Sequence, residues 1–148
     1  MANIRQKVWS KLSKLYPAFL RKFYHMHLGE GVRISYKANL DKSINPRGIY
    51  IGDNTWVLAG AFILAHDYCR ALKADTHVGS RCVIGINSVI MPGITIGDQV
   101  VVAAGTVVTK DIPSHSMVAG NPARLVRTGT IVSERGQIVD SGRKVENL

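Results

Sequence analysis

The chain has 148 residues, 46% of them hydrophobic, and carries a formal net charge of +9 at pH 7. This length suffices for one domain with a hydrophobic core and is too short for two ordinary domains. No apolar run reaches 18 residues and the charged N-terminus lacks the pattern of a signal peptide, so we expect a cytoplasmic protein. The positive charge does not predict nucleic-acid binding, because neither a recognised motif nor a basic groove interleaved with aromatic residues accompanies it.

The first predicted element is a basic helical arm over residues 1–30. Residues 1–28 contain no acid and six cations, which are Arg5, Lys7, Lys11, Lys14, Arg21 and Lys22. One side of the helical projection is apolar and is formed by Ile4, Val8, Leu12, Leu15 and Phe19. Pro17 predicts a split into two helices. The arm is interpreted as a cap over the end of the following repeat, and as an interfacial helix that makes peripheral contact with an anionic inner membrane face through residues 1–28.

The central segment repeats every six residues. Branched aliphatic residues recur in this frame at Val78, Ile84, Ile90, Ile96, Val102 and Val108. The same frame extends upstream from Ile63 to Ile51 and, less regularly, to Leu40 and Ile34. Each six predicts a short strand and a corner of a solenoid, with the first residue pointing inward and Gly, Asn or Asp at the corners. The strands of a β-sandwich would instead recur about every 8 to 12 residues.

The frame breaks once, because the interval from Ile63 to Val78 is not a multiple of six. The sequence AHDYCRALKADTH therefore predicts a loop, at about residues 66–77, that leaves the coil. We expect the repeat to occupy residues 31–113, followed by a C-terminal extension and tail over 114–148.

The segment IGINSVIMPGITIGDQVVVAAGTVVTKDIPSHSMVAGNPARLVR, residues 84–127, resembles the hexapeptide-repeat acyltransferases almost throughout. The resemblance covers about 49–127 and is greatest to the galactoside, maltose and polysaccharide O-acetyltransferases. It implies a mainly β fold, a left-handed parallel β-helix with three sixes per coil; the period alone leaves the hand open. It also implies acetyl-CoA as co-substrate, no metal requirement, and a homotrimer whose active sites lie between neighbouring β-helices.

Five histidines offer side chains suited to proton transfer near neutral pH. His66, in ILAHD where the repeat stops, matches the catalytic histidine of the family, and the resemblance implies that it removes a proton from a sugar hydroxyl. Asp67 is predicted either to orient this imidazole, to bind acceptor hydroxyls or to form a turn. Surface, corner or interfacial positions are expected for the others, which are His25, His27, His77 and His115.

The resemblance further implies a set of residues around the acyl donor. Gly85 and Ile86 would flank the groove near the thioester, Ala104 and Gly105 would line the pantetheine arm, Thr109 and Lys110 would lie further along, and Arg124 and Arg127 would hold the phosphates. Asn39 and Asp41, in ANLD, fall roughly where some sugar acetyltransferases bind the acceptor. The cysteines, Cys69 and Cys82, are too few for a disulfide scaffold and lack metal-ligand spacing.

These patterns together predict an acetyl-CoA-dependent O-acetyltransferase that acts on a sugar hydroxyl of a bacterial surface polysaccharide or its precursor. Serine acetyltransferases and sugar-nucleotide N-acyltransferases of the same fold are alternatives, although both usually carry an additional domain. A γ-type carbonic anhydrase would need three histidines on zinc, and the paired-histidine spacing of that family is absent. A non-catalytic solenoid would explain the repeat but not the presence of His66 together with Lys110, Arg124 and Arg127.

Overall fold

The computed structural model describes residues 3–146, apart from the side chains at 5–7, 9 and 10. The predicted charges of Arg5 and Lys7 therefore lie outside the described side chains. The elements, in chain order, are α1 (Ile4–Tyr24), β1 (His27–Leu28), β2 (Arg33–Ile34), β3 (Asn39–Leu40), a 3-10 turn (Pro46–Gly48), β4 (Ile49–Ile51), β5 (Trp56–Val57), β6 (Phe62–Ile63), β7 (His66–Asp67), β8 (Leu72–Lys73), β9 (Thr76–Val78), β10 (Val83–Ile84), β11 (Val89–Ile90), β12 (Thr95–Ile96), β13 (Val101–Val102), β14 (Val107–Val108), β15 (Ser116–Ala119), β16 (Arg124–Thr128), β17 (Ile131–Val132), β18 (Ile138–Asp140) and β19 (Arg143–Lys144).

Three parallel sheets form the walls of a left-handed β-helix, which confirms the predicted fold class. Sheet 1 contains β1, β4, β9 and β12, and sheet 3 contains β3, β6, β11 and β14. Sheet 2 contains β2, β5, β10, β13 and β15, and β16 and β19 extend it in antiparallel order. The chain visits the three sheets in turn, so residues one coil apart are stacked along the axis.

The period of six places one aliphatic residue of each strand in the interior. Val78, Ile84, Ile90, Ile96 and Val108 are all buried, as are their counterparts in the upstream coils. Parallel pairing stacks these side chains in register, for example Ile84 on Val102 and Ile90 on Val108. Burial of these apolar surfaces accounts for the repeat, because each inward residue contacts its neighbours above and below.

Successive coils repeat the same backbone conformation at equivalent corners. At the corner from sheet 1 to sheet 2, the residues with positive φ are Gly31, Asn54, Arg81, Gln99 and His115, each three residues after an inward strand position. Arg81 and Gln99 differ from the predicted use of Gly, Asn and Asp at corners. They adopt this conformation because hydrogen bonds between coils hold their backbones, such as Gln99 N–H to the Ser80 carbonyl at 2.8 Å.

α1 covers the first coil as a single helix, so the predicted split at Pro17 is wrong. Pro17 and Leu20 are buried against the coil, and this packing offsets the backbone hydrogen bond that a proline removes. Arg21 fixes the end of the helix by donating to the carbonyls of Leu28 and Gly29. The first strand, β1, already pairs with β4, so the β-helix begins inside the predicted arm of residues 1–30.

The C-terminal segment packs on the outside of the β-helix. β15 and β16 form an antiparallel pair, β19 adds to β16, and β17 and β18 form a separate hairpin. Gly136, in the turn of that hairpin, packs directly against the ring of Trp56. Among residues 3–146, no helix combines the length and the hydropathy needed to cross a membrane.

Candidate active site

His66 is held by a buried carboxylate. Its Nδ1 lies 2.5 Å from Oδ2 of Asp41, whose side chain is fully buried, while the imidazole is 22% exposed. Burial alone would raise the pKa of Asp41, but hydrogen bonds from His66, Ile44 and Ser43 outweigh it and hold the pKa below its usual value. The carboxylate is therefore ionised near neutral pH and can only accept a hydrogen bond, so Nδ1 carries the proton. In the neutral imidazole the lone pair is then on Nε2, which can act as a base.

The fold brings these two residues together from 25 positions apart in the chain. Asp41 follows β3 and His66 follows β6, and β3 and β6 are paired so that Leu40 lies beside Ile63. Both residues consequently leave sheet 3 at the same corner in successive coils. At this corner the hexad frame is interrupted, which frees His66 from the regular coil.

Hydrogen bonds hold the backbone on both sides of His66. Leu64 accepts a hydrogen bond from the Thr76 hydroxyl at 2.5 Å, and the Ala65 carbonyl accepts from the buried Asn45 amide at 3.1 Å. Beyond His66, the chain forms the short hairpin of β7 and β8, with His66 opposite Lys73. The imidazole is therefore presented from a rigid support at the mouth of the loop.

The imidazole lines a cavity of about 370 Å³. Polar groups at its wall include Asn39, Lys42 and Ser43, and Phe62 adds an aromatic surface that is 41% exposed. A cavity with one aromatic surface, a few polar groups and a histidine supported by a carboxylate is suited to a small hydroxylic molecule. The predictions included Asn39 but missed Lys42, Ser43 and Phe62, whose positions beside His66 depend on the pairing of coils.

Asp41 supports the imidazole, and Asp67 takes the turn-forming role considered for it, because its Oδ1 accepts from the Arg70 N–H at 3.2 Å. Asp41, predicted near the acceptor, lies behind the imidazole, and its Oδ1 accepts from Ser43 and Ile44. Asp67 pairs with Arg70, with Oδ2 at 2.6 Å from Nε, and this contact lowers its pKa. The Asp67 carboxylate is thus engaged within the hairpin loop and makes no hydrogen bond with His66.

The remaining histidines occupy structural positions on the surface. His27 and His77 stack on Tyr50 along the outer face of sheet 1, with ring centroids 4.2 and 4.4 Å apart. His25 has a positive φ directly after α1, and His115 bonds the Thr130 carbonyl through Nδ1 at 3.1 Å. These contacts agree with the surface and corner positions predicted for them.

The two cysteines differ in their surroundings. Cys69 is exposed in the loop after His66, whereas Cys82 is buried in the core. Burial raises the pKa of the Cys82 thiol to about 11, so it stays protonated and unreactive at neutral pH. Among residues 3–146, no three His, Cys, Asp or Glu side chains lie close enough together to hold a metal ion.

The predicted acyl-donor residues lie on the two edges of sheet 3. Ile86, Ala104 and Gly105 are exposed at the edge of sheet 3 that adjoins sheet 2. Thr109 and Lys110 are exposed at the opposite edge, beyond strands β11 and β14. Gly85 is buried beneath the first of these edges. A Cβ on Gly85 would lie only 2.5 Å from the Val102 carbonyl oxygen, so packing between coils accounts for this glycine. Gly105 has open space around it.

The two predicted phosphate-binding arginines have different environments. Arg124 is exposed at the start of β16. Arg127 is partly buried and donates from Nη1 to the Gly142 carbonyl at 3.2 Å and to the Ser141 hydroxyl at 3.3 Å. Its guanidinium therefore already supports the C-terminal segment, which the sequence did not indicate.

Comparison with known proteins identifies relatives across most of the chain. A family model for the hexapeptide repeat of succinyl-transferase matches residues 76–110. "Putative acetyltransferase YvoF" of Bacillus subtilis is 37% identical over 117 residues, which are 78% of this chain and 67% of that protein. The chain belongs to the hexapeptide-repeat acetyltransferase family. The predicted acyltransferase class is thereby confirmed.

Two solved structures of this family extend the comparison. Serine acetyltransferase of Neisseria gonorrhoeae, solved with serine, is 26% identical with a TM-score of 0.57, and the match covers 68% of this chain and 39% of that one. NeuO, described as a polySia-specific acetyltransferase, is 26% identical with a TM-score of 0.51, and the match covers 72% of this chain and 50% of that one. This chain therefore matches half or less of the length of each of these two proteins.

Proposed function

We propose that this hexapeptide-repeat acetyltransferase moves an acetyl group from acetyl-CoA to a sugar hydroxyl, with His66 as general base. The observation that carries the proposal is the pairing of His66 with the buried Asp41 at the wall of a cavity with polar groups. Such a pair sets the tautomer of the imidazole and stabilises the imidazolium that forms during proton transfer.

The reaction would proceed without a covalent enzyme intermediate. Nε2 of His66 accepts the proton of the acceptor hydroxyl while the oxygen attacks the thioester carbonyl. Collapse of the tetrahedral intermediate breaks the carbon–sulfur bond, and the imidazolium returns the proton to the departing thiolate. Backbone N–H groups would stabilise the oxyanion. The nearby Cys69 lies in the loop and is not needed as a nucleophile.

The donor would lie along the edge of sheet 3 that carries Ile86, Ala104 and Gly105, with Arg124 near the phosphates. His66 projects from the other edge of the same sheet, across the two-residue strands. A homotrimer, in which the donor edge of one copy faces the His66 edge of the next, would bring both halves of the site together. We therefore include the trimer in the proposal.

The acceptor is proposed to be a sugar because the His66 cavity offers Phe62 as an aromatic surface and Asn39 and Ser43 as hydrogen-bonding groups. The similarity to NeuO, which is described as a polySia-specific acetyltransferase, supports this choice. Serine is the rival acceptor, and it is favoured by the similarity to serine acetyltransferase. In that case Lys42 would pair with the carboxylate of the amino acid.

Release of free thiol from acetyl-CoA tests the proposal, with a panel of sugars and serine as acceptors and mass spectrometry of the products. We expect a sugar to be acetylated on oxygen, and His66→Ala to lower the turnover by about 10² to 10⁴. His77→Ala removes an imidazole from the outer face of sheet 1 and serves as the matched control with near wild-type turnover. Wild-type rates in His66→Ala would refute the assignment of the base. Acetylation of serine alone would identify serine, and not a sugar, as the acceptor.

A further inference from the structure

A cavity with a volume of about 950 Å³ lies beneath α1, outside the His66 cavity. Its helical wall contains Leu12, Leu15 and Phe19, and the opposite wall contains Trp56, Leu58 and Ile86. The three helical side chains are exposed by 52%, 62% and 44%. Large apolar side chains that face one another across an open groove favour a ligand with an apolar body.

This cavity adjoins the His66 cavity. Tyr16 lines the large cavity and Lys42 lines the smaller one, and Lys42 Nζ donates to the Tyr16 hydroxyl at 3.4 Å. Along the first coil, Tyr36 lines the large cavity and Asn39 the small one. Three residues span at most about 10 Å, so one elongated molecule can occupy both.

Three cations lie in or next to the two cavities. Lys42 stands at the junction, and Lys37 Nζ lies 5.8 Å from the centroid of the Tyr36 ring. Arg33 lies over the ring of Trp56 at 4.9 Å inside the large cavity. Within the described part of the chain, none of these three cations has a carboxylate partner. An anionic group between the apolar and polar parts of a ligand would complement them.

We propose that the acceptor is a lipid-linked sugar, in which a hydrocarbon chain is joined to the sugar through phosphate. The hydrocarbon chain occupies the part of the cavity between α1 and the first two coils, which leaves Ile86 of the next coil to the acyl donor, the phosphate lies by Lys37 and Lys42, and the sugar reaches His66. This inference rests on the proposed function and names its substrate class. A free sugar would leave the apolar walls uncovered, whereas a lipid-linked sugar matches the order of apolar, cationic and polar surfaces.

Binding of farnesyl phosphate to the full-length protein, measured by calorimetry, tests the proposal without sugar or acetyl-CoA. We expect saturable binding, with inorganic phosphate and farnesol each at least about tenfold weaker. The double variant Leu12→Gln, Leu15→Gln should weaken farnesyl phosphate by about tenfold or more. Ile4→Gln, Val8→Gln is the matched control, since it changes two exposed aliphatic residues of the same helix outside the cavity. Lys42→Met should weaken the binding of farnesyl phosphate and leave the binding of farnesol unchanged.

Several results would overturn the proposal. Absence of saturable binding would refute a lipid-linked acceptor. Equal losses of affinity in the two double variants would show that farnesyl phosphate binds to the helix surface in general and not in the cavity. Equal affinities for farnesol and farnesyl phosphate would refute the recognition of the phosphate by Lys37 and Lys42. A changed subunit number in the Leu12→Gln, Leu15→Gln variant, measured by light scattering, would show that a second copy fills the cavity. Failure of acetyl transfer would leave the lipid-binding result intact, so the two proposals fail separately.

Discussion

At the level of single residues, Asp41 and His66 show how burial and hydrogen bonding prepare a side chain for proton transfer. The Asp41 carboxylate is fully buried, and it accepts hydrogen bonds from the His66 ring and from two backbone N–H groups. These contacts favour its ionised form against the cost of burial. Since Nδ1 of His66 is engaged by the ionised Asp41, Nε2 is the nitrogen left to accept a proton.

Asp41→Asn tests this arrangement. The amide keeps the shape but lacks the charge and can hold the wrong tautomer of His66, so we expect kcat to fall by about 10² to 10⁴. The assay is thiol release with an accepted sugar at saturating acetyl-CoA. Asp67→Asn is the matched control, because Asp67 contacts Arg70 and makes no hydrogen bond with His66, and its kcat should stay close to that of the wild type. Equal losses in the two variants would contradict the assignment.

The same carboxylate predicts a pH dependence of stability. Because folding lowers the pKa of Asp41, its ionised form stabilises the folded state fully above its unfolded pKa of about 3.9. That stabilisation disappears as the pH falls through the lower pKa of the folded state. Urea unfolding of wild type and Asp41→Asn should therefore show a gap in the free energy of unfolding at pH 6 that narrows below about pH 4. A gap independent of pH would show that Asp41 acts only through packing.

At the level of the coil, glycines serve two different purposes. Gly85 is required by close packing, since a Cβ there would meet three backbone atoms of the next coil within 2.7 Å. Gly105 is favoured by its backbone conformation, with φ at +69°, and faces open space. Asn54 and Asn87 adopt a similar φ of +55° elsewhere, so asparagine fits a corner of this kind.

Gly85→Ala and Gly105→Asn separate these purposes. Gly85→Ala should lower the free energy of unfolding by about 1 to 3 kcal/mol, because backbone must move to admit the methyl group. Gly105→Asn should change it by less than about 1 kcal/mol and should raise KM for acetyl-CoA if the donor lies along this edge. Urea unfolding and thiol-release kinetics provide the two measurements. Equal destabilisation by the two substitutions would contradict the distinction between packing and conformation.

At the level of the whole molecule, the proposed site is divided between two edges of sheet 3. His66 lies at one edge, and Ala104 lies at the other, exposed and outside the core. Neither edge by itself contains both the proposed base and the proposed donor groove. A site built between copies of the chain removes this difficulty, because the edges that meet then belong to different subunits.

Mixing two inactive variants tests whether the site is shared. His66→Ala removes the base, and Ala104→Trp should block the donor groove without touching the core. Trimers formed by co-expression of the two variants should regain about a quarter of the wild-type turnover, because that share of sites pairs an intact His66 with an intact groove. Each variant expressed alone is the control. Recovery of no activity in mixed trimers would place the whole site within one subunit.

The sequence by itself determined the coil, the interruption and the candidate base. A six-residue period is a local property, since each inward aliphatic residue needs only the coil above and the coil below, so the buried positions from Val78 to Val108 could be predicted. The broken spacing after Ile63 similarly identified the loop that carries His66. The acyltransferase family followed from the motif over residues 84–127.

Only the tertiary structure decided which side chains meet. Asp41 lies behind His66 because β3 pairs with β6, and no local pattern encodes that register across 25 residues. Packing of α1 on the first coil kept the helix continuous through Pro17 and opened the apolar cavity beneath it. Arg127 contacts the tail because β16 and β19 pair. Contacts of this kind depend on distant segments being brought together by burial, so they lie beyond any reading of sequence neighbours.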